Sequence, residues 1–123
     1  MPDSQPFRLT IPSTPANLAT ARLFTVAVAR TFGFNEELVA DMRLATSELA
    51  TMVVSAGGGG SMSVSIDVRS SPPTLTVAPV DVSSAASGFP NPMDIVTAVF
   101  PSTRIEDDGR VVIDLSEDLA REH

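Results

Sequence analysis

The sequence predicts an α+β fold, a two-layer sandwich with its helices packed on one face of a mixed or mostly antiparallel sheet. Two observations carry this expectation. The stretch DMRLATSELATMVV and its approach are apolar at Leu38, Met42, Ala45, Leu49 and Met52, spacings of four and three that mark one stripe of a helix. Elsewhere short segments are apolar at every second residue, as in Phe7-Leu9-Ile11, Val64-Ile66-Val68 and Val111-Ile113-Leu115, the period of half-buried strands. A chain of 123 residues is expected to form one domain, placed at 7–115, with flexible tails at 1–6 and 116–123.

The elements follow in order. Phe7 to Ile11 reads as the first strand, stopped by Pro12. Ser13 or Thr14 can cap a helix that tolerates Pro15 in its first turn and runs to about Phe32. Its inward face is expected at Leu18, Ala21, Thr25, Val28 and Phe32, and Gly33 fits its stop. Asn35 with Glu36 and Glu37 marks the start of the second helix, which ends before Gly57. The run Gly57 to Gly60 leads into a strand and not into a helix, so it reads as a connector and not as a phosphate cradle. Met62 to Val68 and Thr74 to Ala78 form a hairpin around Ser70-Ser71-Pro72-Pro73. Val82 to Pro90 reads as a loop. Asn91-Pro92 starts a short helix to about Phe100, with Met93, Val96, Val99 and Phe100 as its buried candidates. Arg104-Ile105, the turn Asp107-Asp108-Gly109 and the strand from Val111 to Leu115 close the chain as a second hairpin.

Composition narrows the function. A net charge of −7 argues against direct binding of a nucleic-acid backbone. No apolar run reaches the length of a membrane span, and the N-terminus has no export pattern, so a cytoplasmic protein without membrane contact is expected. With no Cys, and its one His at position 123, the chain offers no thiolate or histidine metal site and no histidine-based catalysis.

The helical stretch LATSELATMVV resembles the first nucleotide-binding box of the histidine-kinase-like ATPases, in the branch that holds the anti-sigma-factor serine kinases. That box reads L-A-x-x-E-x-x-x-N-A-V. Leu44, Ala45, Glu48 and Val54 match it, and Met52 stands where the family has Asn. The resemblance spans Phe7 to Leu115 and implies the compact form of that fold. It implies for Glu48 the positioning or deprotonation of the attacking water or serine hydroxyl. The family's Asn supplies an oxygen to Mg²⁺, a role closed to the Met52 thioether. The family's D-x-G-x-G box aligns with DVSSA, so Asp81 stands at the adenine-binding Asp, with Ser83 and Ala85 in place of glycines. The phosphate loop corresponds to SGFPNPMD, with Gly88 alone and prolines that lack an N–H donor. The closing G-T is replaced by Asp108-Gly109-Arg110.

These departures imply a domain of this fold that no longer binds nucleotide and needs no metal or other cofactor. Glu48 then reads either as a remnant base or as part of a protein contact, and Asp81 either as a nucleotide ligand or as a turn-forming carboxylate. Met52 reads as filler of the former pocket. Arg22 matches an arginine on the family's first helix that touches protein partners, and alternatively reads as a solvated arginine, with Arg30 and Arg43 as weaker candidates. The resemblance implies a non-catalytic anti-sigma-like regulator of transcription or stress control. Its partner would be a sigma factor or an anti-anti-sigma (STAS-type) protein, and a homodimer is implied as well. The alternative is an active ATP- and Mg²⁺-dependent serine kinase with divergent boxes, using Glu48 and Asp81. A third reading is a small domain that shares only the helices and the sheet.

Overall fold

The computed structural model describes residues 6–57, 59–81 and 91–115. The readings of residues 1–5, of the loop with Ser83, Ala85 and Gly88, and of the tail 116–123 therefore fall outside the described residues. Strand β1 is Phe7–Pro12, followed by a short 3-10 turn at Pro15–Asn17 and the helices α1, Leu18–Thr31, and α2, Glu36–Ser55. Strands β2, Ser61–Asp67, and β3, Thr74–Ala78, precede the short helix α3, Pro92–Val99, and the hairpin of β4, Arg104–Ile105, with β5, Val111–Asp114.

The five strands lie in the order β1-β2-β3-β5-β4, and every neighbouring pair is antiparallel. Chain reversals explain why no parallel pair forms. Two helices separate β1 from β2, so the chain goes out and back once more than a single crossover helix would allow. Between β3 and β5, α3 and β4 do the same, and β5 folds back into the slot between β3 and β4.

Helix α2 is central. Leu38, Met42, Ala45, Leu49 and Met52 are all buried, as their spacing predicts, and pack with Met62, Val64 and Ile66 of β2, Leu75 and Val77 of β3, and Val111 and Ile113 of β5 in one core. The Asn35 side chain caps α2 by accepting from the Leu38 N–H at 2.7 Å, with Glu36 and Glu37 in the first turn. Gly33, at φ +77°, ends α1 as expected. The Phe34 N–H donates to the Ala29 carbonyl at 3.1 Å and the Gly33 N–H to that of Arg30 at 3.1 Å, the paired bonds of a left-handed helix stop.

Helix α1 differs from its expectation in two ways. It begins through the 3-10 turn, and neither Ser13 nor Thr14 caps it. Ser13 instead donates from both N–H and Oγ to the Gly60 carbonyl, each at 2.9 Å, which fastens the end of β1 to the start of β2. The fully buried stripe is Ala21, Thr25 and Ala29, every fourth residue, while Leu18 and Val28 are half-buried against the core as expected and Phe32 is exposed. Small side chains on that stripe face α2, on which α1 packs. Phe32 turns outward and meets the ring of Phe7 with centroids 5.1 Å apart.

Candidate functional site

Two surface features gather the residues with chemistry. The first is a cleft of about 470 Å³ beyond the ends of the sheet, between Ser13 and Gly60 on one side and Asp81, Asp107 and Asp108 on the other. Its shape follows from local chain geometry. Pro79 stops the β3 ladder, and the Val80 N–H donates to the Gly109 carbonyl at 2.7 Å, so the segment carrying Asp81 lies against the β4–β5 turn. Gly109 has φ +90°, the left-handed region that favours glycine, so this turn needs glycine for its backbone.

Acidic side chains line the cleft. Besides the three carboxylates, Ala56 at the C-terminal end of α2 lines it, where a helix carries its partial negative charge. Asp108 accepts from Arg110 Nε at 2.9 Å, and this hydrogen bond, with one from the Arg110 backbone, holds its carboxyl below the ordinary aspartate range.

Glu48 does not line this cleft. It is half-buried on α2, between the exposed Leu44 one turn before it and the buried Met52 one turn after, and among the described residues it has no hydrogen bond or ion pair. Met52 is only 4% exposed and belongs to the core, so its position is committed to packing. Of Glu48 and Asp81, read together from the sequence as one nucleotide site, Asp81 lines this cleft.

The second feature is a groove of about 520 Å³ between the outer faces of α1 and α2. Arg22 lines it and reaches across to the Ser47 hydroxyl with a long 3.4 Å hydrogen bond, next to Glu48 in sequence. Arg30 and Arg43 line it as well. Arg30 donates to both Glu36 oxygens, at 2.8 and 3.2 Å. That pairing raises the Arg30 pKa and lowers that of Glu36, each first through the hydrogen bond itself. Both partners are exposed, so the pair orients side chains more than it stabilises the fold. Sequence reasoning named all three arginines but took Glu36 only as a helix-start residue, and it missed Leu23. An apolar side chain beside Arg22 on the outward side of an amphipathic helix was the available signal.

Residues 11–115 match the sequence model of the histidine kinase-like ATPase domain. With the helices packed on one face of a five-stranded antiparallel sheet, the chain belongs to that family. No curated protein matches the chain significantly. Among the described residues, no helix is long and apolar enough to cross a membrane.

Proposed function

We propose that this domain is a non-catalytic, anti-sigma-like regulator in the cytoplasm that has lost its nucleotide site. It acts by stoichiometric binding of a sigma factor or an anti-anti-sigma (STAS-type) protein, with Arg22 in the contact, in transcriptional or stress control. A homodimer is part of the reading. Met52 carries it. The position where the related box has a Mg²⁺-binding Asn is held by a thioether buried in the core, a poor ligand for a hard cation. The acidic lining of the cleft at Asp81 adds to this, because phosphoryl groups are held by positive charge and N–H donors.

The second reading, an ATP-dependent serine kinase, is favoured by Glu48, a half-buried residue with no hydrogen bond or ion pair among the described residues. Calorimetric titration with MgATP and MgADP at millimolar ligand separates the two. A flat trace is expected. Saturable binding in the micromolar range would put the kinase first, with ATP and Mg²⁺ as its cofactors. Pull-down of sigma factors and STAS proteins from the native host tests the regulatory half, and recovery of neither class would sink it.

A further inference from the structure

The groove between α1 and α2 combines an apolar floor with a positive rim. Ala19, Leu23 and Val26 from α1 and Val39 and Ala40 from α2 form the floor. Leu23 is 69% exposed, the highest among the large apolar side chains described as exposed. Of the eight arginines in the chain, three (Arg22, Arg30 and Arg43) stand on this one rim. Glu36 is the one acid among the lining residues, and it is taken up by Arg30. Arg43 has no hydrogen bond or ion pair among the described residues, and Arg22 has only its long bond to Ser47. In a chain of net charge −7 this is a local reversal of sign.

We propose that this groove docks an acidic amphipathic segment of a partner protein, seating an apolar side chain over Leu23 and Val26 and placing carboxylates on Arg22 and Arg43. Charge complementarity selects the occupant: arginine forks match carboxylates, and a basic segment would be repelled. The two-helix walls suit a helix laid in a groove. A nucleic acid fits less well, because the floor is apolar and the whole molecule repels a polyanion. Glu36 acts as an internal competitor, since its carboxylate already fills the fork of Arg30 that an incoming acid would take. This proposal rests on the reading of the domain as a protein-binding regulator.

The test is an NMR titration of the ¹⁵N-labelled full chain with a synthetic helix-forming peptide of Leu, Ala and Glu. A peptide with Lys for each Glu and a short DNA duplex serve as the other arms. The Glu peptide should shift the amides around Leu23, Val26, Val39 and Ala40 and bind at least about tenfold more tightly than the Lys peptide. Arg43→Ala and Leu23→Asp, both exposed positions, should each weaken it severalfold, and Glu36→Gln should strengthen it about two- to fivefold by releasing Arg30. Equal binding of the two peptides, shifts mapping elsewhere, or a preference for DNA would overturn the proposal. Its failure is separable from that of the regulatory reading. A peptide bound in the groove with no sigma or STAS partner from the host leaves the groove standing and the regulator not. A sigma or STAS protein held equally well by Leu23→Asp and Arg43→Ala does the reverse.

Discussion

Thr25 on α1 and Thr46 on α2 are fully buried, and their hydroxyls lie 2.9 Å apart. They are the only polar residues that are buried among those described, and each satisfies the other in the middle of the helix interface. Thr25→Val alone strands the Thr46 hydroxyl in an apolar contact, at a cost of about 1–3 kcal/mol. Replacing both by Val removes both polar groups and keeps their shape, so the double variant should be more stable than the sum of the singles. Urea unfolding of all four proteins gives the coupling, and strict additivity would contradict the pairing. The sequence placed Thr25 inward by period, but nothing in it pointed to Thr46 as its partner, twenty-one residues on. Met52 shows the complementary case. Both its departure from the box and its place on the buried stripe were plain in the sequence, while the strand residues that share its core came only from the fold.

At the scale of elements, α3 has the clearest local encoding. Eight residues are too few for a helix to persist alone in water, so its ends and its buried side must hold it. Asn91 Oδ1 accepts from the Asp94 N–H at 3.1 Å and Asp94 Oδ2 from the Asn91 N–H at 2.9 Å, a reciprocal box closed by Pro92 in the first turn. Val96 and Phe100 then fix it to the core. Asn91→Ala should cost about 1 kcal/mol in equilibrium unfolding, and an unchanged midpoint would show that packing alone holds α3. Asn91-Pro92 announced this start in the sequence. At the start of α1 the sequence offered Ser13 or Thr14 as a cap, but Ser13 gives its hydroxyl to Gly60, forty-seven residues away, and no local pattern encodes such a bond.

Across the whole molecule, protection should follow the layering. Strand β3 is hydrogen-bonded on both sides, and α2 buries nine of its twenty residues. Strands β1 and β4 are the sheet's edges, and alternate N–H groups of an edge strand point away from the ladder. Amide exchange should therefore be slowest in β3 and along the buried stripe of α2, at rates set by global unfolding, and faster in β4 and on the outer side of β1. Equal protection of β1 and β3 would mean that something covers the β1 edge, and a second copy of the chain is the first candidate to check by its concentration dependence.

By itself the sequence determined the element types, the buried stripe of α2, the turns at Gly33 and Gly109, and the family, because periodicity, caps and glycines act within a few residues of chain. The tertiary structure alone decided that β5 slots between β3 and β4, that Asp81 shares a cleft with Asp107 and Asp108, and that Arg22, Arg30 and Arg43 from two helices share one groove. Those outcomes depend on which buried faces meet. A period tells a residue which side of its element to take, but it carries no address for the residue on the other side of the contact.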